Sequence, residues 1–148
     1  MPISKDRVSY YYDAEVGSVY FGPNHPMKPH RLCMTHHLVL AYKLQEKMEV
    51  YRPRRAYPVE MATFHSEDYI DFLNRVTPDN QHEFLEQLTR FNLAEDCPIF
   101  DGLFDFCRIY TGGSIDGAVR PSPPCENPKR DFFPNQLEAG TRGFEAGR

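Results

Sequence analysis

Val8-Ser9-Tyr10-Tyr11-Tyr12 is a β-branched and aromatic run that stops at Asp13, and a Gly- and Pro-bearing stretch through Gly22-Pro23-Asn24 follows it. Such a run fits a pleated, buried surface and predicts a first strand. Two prolines in His25-Pro26-Met27-Lys28-Pro29 then hold the chain extended. Residues 30–48 contain neither Gly nor Pro and place Cys33, His37, Leu40, Leu44 and Met48 at three- and four-residue steps, which predicts one long helix, apolar over a wide arc. The short Glu49-Val50-Tyr51 run, ending at Pro53, predicts a second strand.

Ser66 stands where it caps a helix with Glu67 and Asp68 in its first turn and Tyr69, Phe72, Leu73 and Val76 on its inner face. Asn80 with Glu83 opens a similar pattern in Phe84, Leu88 and Phe91. Asp101 precedes a third, Leu103, Phe106, Cys107 and Tyr110, which is expected to lapse at Gly112-Gly113. A strand or two followed by several helices is the opening of an α/β domain, because complete ones alternate the two elements repeatedly. Beyond Arg120 the periodicity vanishes, five of the chain's 13 prolines occur, and Gly, Glu and Arg scatter through residues 137–148. This predicts an unfolded tail over residues 120–148.

Composition narrows the class. The 148 residues suit one domain, and 41% apolar with 26% charged side chains is a globular mixture. A net charge of −4, from 21 acidic and 17 basic groups, gives no general electrostatic reason to coat nucleic acid or an anionic membrane. Neither a membrane-length apolar run nor a signal-like start is present, so the expected compartment is the cytoplasm or nucleus. Cys33, Cys97, Cys107 and Cys125 form no Cys-x-x-Cys pair and are expected as reduced thiols, Cys33 and Cys107 as small core residues.

The six histidines invite a metal, but their spacing does not build a site. His36 and His37 are adjacent, so on a helix they point about 100° apart, and neither His-x-x-x-His nor Asp-x-His occurs. There is no Gly-x-Ser-x-Gly elbow, phosphate loop or dinucleotide Gly-x-Gly-x-x-Gly, and Gly112-Gly113-Ser114 is expected to be a helix-breaking turn. Glu95-Asp96, or Asp101 with Asp105, has the chemistry of an acid–base pair, and equally that of loop, cap and solvated carboxylates. Lys28, His30 and Arg31 cluster at the entrance to the long helix, where backbone donors and the helix dipole favour an anion; ordinary surface charge is the alternative.

The strand through Asp13, the block Gly22-Pro23-Asn24-His25-Pro26-Met27-Lys28-Pro29-His30-Arg31, the stretch Phe64-His65-Ser66-Glu67-Asp68-Tyr69, and Glu95-Asp96-Cys97-Pro98 running into Phe100-Asp101-Gly102-Leu103-Phe104 closely resemble the N-terminal part of class I histone deacetylases, most of all the plant branch. The likeness covers roughly residues 5–119. It implies an N-terminal fragment of the three-layer α/β/α arginase/deacetylase fold over residues 1–119, followed by a divergent tail at 120–148. By resemblance Asp96 is the rim aspartate that holds the backbone of an acetyl-lysine substrate, Arg31 lines the internal channel, and Lys28 contacts inositol phosphate at a corepressor interface. Asn24 stands where relatives commonly have Gly, and Tyr20 where some have His.

The resemblance also implies what is missing. Family members hydrolyse the acetamide with zinc held by two Asp and one His, an adjacent His pair and a Tyr, all beyond the point where this chain diverges, and His36-His37 does not match that pair. Zinc activates the water and polarises the carbonyl while imidazoles move the proton, so a chain without them is expected to be inactive by itself and to hold no metal of its own. The tail is then expected to be a foreign ending, from alternative splicing, a shifted frame or a mistaken gene model, with a native flexible tail as the alternative. Histone tails and corepressor proteins are the implied partners, with inositol phosphate in addition and neither DNA nor membrane; the implied compartment is the nucleus, with the cytoplasm as a second. A non-catalytic interaction isoform and an enzyme completed in trans by another chain are the alternatives. Phe72-Leu73-Val76 and Leu103-Phe106-Tyr110 are expected to lack part of the surface they bury against, leaving a marginal, aggregation-prone product.

Overall fold

The computed structural model describes residues 8–93 and 96–119; the expected tail, with Cys125, lies outside them. Strands β1 (Ser9–Tyr11) and β2 (Glu49–Tyr51) pair in parallel, with Ser9 opposite Glu49, Tyr10 opposite Val50 and Tyr11 opposite Tyr51. The ladder is extended by Glu49 N–H donating to the Val8 carbonyl at 2.8 Å and Tyr12 N–H to the Tyr51 carbonyl at 3.0 Å. Parallel strands require a crossover, which α1 (His30–Ala41) supplies. The expected burial of the first strand is not met: Ser9 is exposed, and Tyr10 and Tyr11 are half-buried, on a sheet of two strands.

The helix expected over residues 30–48 ends at Ala41. Lys43 turns left-handed at φ 56° and a 3₁₀ turn, Leu44–Lys47, brings the chain back to β2. Sheet register explains the early stop, because an uninterrupted helix to Met48 would rise about 28 Å and carry Glu49 away from Ser9. Asp13 ends β1 from the other side. Its buried carboxylate accepts from Glu15 N–H at 2.9 Å, opening the 3₁₀ turn Ala14–Gly17, and from Arg52 Nε at 2.7 Å.

The core lies away from the sheet, among α2 (Pro58–Met61), α3 (Glu67–Arg75), α4 (Leu85–Arg90) and α5 (Leu103–Val119). Ala56, Met61, Ile70, Phe72, Leu73, Val76, Leu88, Leu103 and Cys107 form its buried cluster. Phe72 stacks on Phe91 with ring centroids 5.5 Å apart and meets Phe84 at 5.7 Å. This corrects the expectation that Phe72-Leu73-Val76 would lack part of the surface they bury against: the three are buried against this chain's own helices, as is Leu103, while in the second set Phe106 is half-buried and Tyr110 exposed. Exposure falls instead on α1, none of whose residues is buried and whose Met34 and Leu38 are 58% and 55% exposed.

Two caps differ from expectation. Ser66 occupies the position before α3 without a side-chain bond to the helix backbone, and its hydroxyl beside Asp68, together with Arg90 at 2.7 Å, lowers that carboxyl's pKa. Asn80 opens the 3₁₀ turn Gln81–Phe84 as expected, its carbonyl accepting from Glu83 N–H at 2.9 Å, but its side chain turns back to the end of α3, Oδ1 accepting from Thr77 N–H at 2.7 Å and Nδ2 donating to the Arg75 carbonyl at 2.9 Å.

The expected break at Gly112-Gly113 is absent, and α5 runs through both glycines to Val119. Tertiary contact overrides their poor helix propensity. Residues 53–56 cross α5 so closely that a Cβ on Gly112 would overlap the Arg54 carbonyl oxygen. The crossing is fastened reciprocally, Ala56 N–H donating to the Arg108 carbonyl and Arg108 Nε to the Ala56 carbonyl, both at 2.9 Å. The Arg54 guanidinium grips both Glu60 oxygens at 2.6 Å and Asp116 at 3.2 Å, so α2, the crossing segment and α5 are held as one unit.

Candidate functional site

The segment between β1 and α1 carries Lys28 and His25 and reaches across to Asp96. Gly22 adopts φ 108°, a conformation that side chains disfavour, and turns the chain back on itself. Lys28 Nζ closes this turn by donating to the Gly22 carbonyl at 2.8 Å and the Pro23 carbonyl at 2.9 Å, and lies 5.7 Å from the centre of the Tyr20 ring. The expected anion contact is therefore already engaged with two carbonyl oxygens of its own loop.

His25 projects from the same turn towards Asp96. Its Nε2 is 2.9 Å from the Asp96 carbonyl oxygen, and its Nδ1 is 3.1 Å from the Met27 amide nitrogen. Phe21 meets the His25 ring edge to face at 5.1 Å and rests on Phe100 at 5.5 Å and Phe106 at 6.5 Å. Between these groups lies an open cleft of about 360 Å³, lined by Phe21, residues 22–26 and Asp96. Asp96 is exposed in the turn before α5. Its chemistry there is that of an exposed hydrogen-bond acceptor beside the cleft.

Arg31 stands in the first turn of α1, exposed and outside the lining of this cleft. The cleft thus brings His25 and Asp96 together, while Lys28, bonded to the Gly22 and Pro23 carbonyls, and Arg31 lie outside its lining. Sequence reasoning passed over His25, which it quoted only within a motif; nothing in spacing links it to a residue 71 positions away.

The remaining candidates are structural. His36 stacks on Tyr12 with centroids 3.6 Å apart and shares a 3.1 Å hydrogen bond with the Tyr10 hydroxyl, and burial, then the neighbouring His37, lowers its pKa. Burial, with Cys33 second, pushes the Tyr12 hydroxyl up to about 12. The His36 and His37 rings are tilted 83° to each other. Among the described residues no three His, Cys, Asp or Glu side chains are grouped to hold a metal ion. Cys107 is a buried core thiol whose pKa burial raises, as expected, Cys97 is exposed, and Cys33 is half-buried. Asp101 and Asp105 surround the start of α5, where Asp105 pairs with Arg108 at 3.1 Å and Arg55 at 3.2 Å. No described helix is long and apolar enough to cross a membrane.

The family model for the histone deacetylase domain matches residues 25–121, more than half of the chain. The chain belongs to the histone deacetylase family. It is 67% identical over 117 residues to histone deacetylase 9 of Arabidopsis thaliana, covering 79% of this chain and 28% of that protein. Type-1 histone deacetylase 1 of Dictyostelium discoideum is 58% identical over 118 residues, covering 80% and 24%. Histone deacetylase 1 of Homo sapiens is 55% identical over 117 residues, covering 79% and 24%. The expected likeness to class I deacetylases, and to a plant member in particular, is met by these values. The chain spans about a quarter of the length of these relatives, and its small parallel sheet with several helices is a partial α/β fold of this histone deacetylase family.

Proposed function

We propose that this chain carries the substrate entrance of a histone deacetylase, with Asp96 as the rim carboxylate that holds the backbone of an acetyl-lysine peptide, and that it does not hydrolyse the amide alone. The single observation that supports the first half is the cleft at Asp96, where an exposed carboxylate stands beside an imidazole and an aromatic wall. A rim carboxylate orients a peptide but neither activates water nor polarises the acetyl carbonyl. The second half rests on the sequence, since residues 122–148 fall outside the family match and offer no stretch resembling the family's zinc ligands, His pair or Tyr. Histone tails as substrates, corepressor proteins as partners and the nucleus as compartment belong to this proposal through the named relatives.

The test is acetate release from an acetyl-lysine histone peptide by the purified 148-residue chain with zinc supplied, and by the chain mixed with the remaining portion of a full-length relative. No release in the first mixture is expected. Zinc-dependent release by the unaided chain would sink the proposal, whereas release only in the second favours completion in trans. Inositol phosphate at Lys28 is the alternative role, and would have to draw the ammonium away from the Gly22 and Pro23 carbonyls. Saturable binding that Lys28→Ala abolishes would establish it, and a titration without saturation would remove it.

A further inference from the structure

We propose that His25 is the positioning residue of the rim: its Nε2–H holds the turn carrying Asp96, so that the carboxylate is presented to substrate from a fixed place. This rests on the proposed role of Asp96 in contacting peptide. Three observations define the bridge. Nδ1 lies 3.1 Å from the Met27 amide nitrogen and 3.2 Å from the Met27 carbonyl oxygen, so the Met27 contact by itself suits either tautomer, and it is the partner of Nε2 that calls for a proton on Nε2. Nε2 faces the Asp96 carbonyl oxygen at 2.9 Å, an acceptor with nothing to donate. Phe21, edge-on to the imidazole at 5.1 Å and backed by Phe100, fixes the plane of the ring.

The bridge has a chemical purpose. Asp96 and Cys97 lie in an exposed turn, and an exposed turn that must be ordered on binding weakens the contact it makes. One imidazole hydrogen bond to the backbone, rather than to the carboxylate, orders the turn in advance while leaving both carboxylate oxygens for substrate. His25 therefore acts through Asp96 and is not itself a peptide contact in this scheme. The flanking Pro23 and Pro26 restrict the loop from which the ring projects.

The test uses the full 148-residue chain labelled with nitrogen-15. Long-range proton–nitrogen correlation reads the tautomer of His25, and backbone order parameters read Asp96 and Cys97, with α5 amides as a control of folding. The expected wild type shows the Nε2–H tautomer and rigid values of about 0.85 at Asp96 and Cys97, which fall below about 0.6 in His25→Phe. His25→Gln, whose side-chain amide still donates, restores the rigid value. An Nδ1–H tautomer, or an unchanged rim in His25→Phe, overturns the inference. Should His25→Phe disturb α5 as well, His25→Gln decides: a rigid rim supports the bridge and a mobile one overturns it.

An acetyl-lysine peptide titrated into the same samples separates this inference from the one beneath it. Perturbation at Asp96 that weakens about tenfold in His25→Phe, with the peptide otherwise bound in the same place, supports positioning. A peptide that leaves Asp96 untouched in the wild type overturns the proposed rim role, while the tautomer and order parameters still decide whether His25 anchors the turn.

Discussion

Gly112→Ala tests the close crossing on which the helical core depends. The added methyl would overlap the Arg54 carbonyl oxygen and lie 2.9 Å from the Arg54 carbonyl carbon and 3.2 Å from the Ala56 nitrogen. All three are backbone atoms, so no side chain can swing aside, and either residues 53–56 lift or α5 shifts. Lifting breaks the two Ala56–Arg108 hydrogen bonds, each worth about 1 kcal/mol net, and forced overpacking costs about 1–3 kcal/mol. Against this stands the gain of about 1 kcal/mol when alanine replaces glycine inside a helix. The balance is a loss of about 2–4 kcal/mol.

Gly117→Ala supplies the control, because its Cβ would meet Tyr11 Cε2 at 3.8 Å, an ordinary contact, and only the propensity gain of up to about 1 kcal/mol remains. Gly113→Ala, with Pro53 Cβ at 3.4 Å, belongs between the two. Urea titration of the 148-residue chain followed by far-ultraviolet circular dichroism gives the midpoints, and unchanged slopes license their comparison. The expected order of stability is Gly117→Ala, Gly113→Ala, Gly112→Ala. A Gly112→Ala chain as stable as Gly117→Ala would refute the crossing and the reason given for glycine there.

The exposed α1 face predicts aggregation: Met34→Glu with Leu38→Lys should reduce light scattering and hydrophobic-dye binding while leaving the urea midpoint within about 0.5 kcal/mol, and an unfolded double variant would contradict the exposure of both side chains. The Glu60 carboxyl, held by Arg54 and then by the Tyr57 N–H, is lowered from 4.5 to about 2. A depressed folded value means that its contribution is complete above the ordinary value of 4.5 and disappears as pH falls through about 2. Protection of the Tyr57 amide, relative to its intrinsic exchange rate at each pH, should therefore hold from neutral pH to below 4 in the wild type and be lost in Glu60→Ala; equal protection in the two chains would remove the assigned pairing.

Part of the fold was legible because local chemistry agrees with tertiary need. The aromatic run after Val8, the Glu49-Val50-Tyr51 strand and the inner faces of α3 and α5 follow from periodicity, and the structure uses them so. The family was legible from the block around His25-Pro26-Met27-Lys28-Pro29-His30-Arg31, within and beside which the loop of the cleft is built. Asp96 was reachable only through that resemblance. Its partner His25 was not reachable at all, since a hydrogen bond across 71 positions leaves no mark in local spacing.

By itself the sequence determined the family, the positions of the two strands, and most of the inner faces of α3 and α5, because these depend on side-chain chemistry and on periods of two and 3.6 residues. The tertiary structure alone decided where α1 stops, that α5 passes through Gly112-Gly113, that Lys28 spends its charge on Gly22 and Pro23, and that His25 reaches Asp96. Each of those outcomes is set by distances between segments far apart in the chain. A register, a backbone crossing and a carbonyl brought within 2.9 Å of an imidazole exist only once the segments have packed.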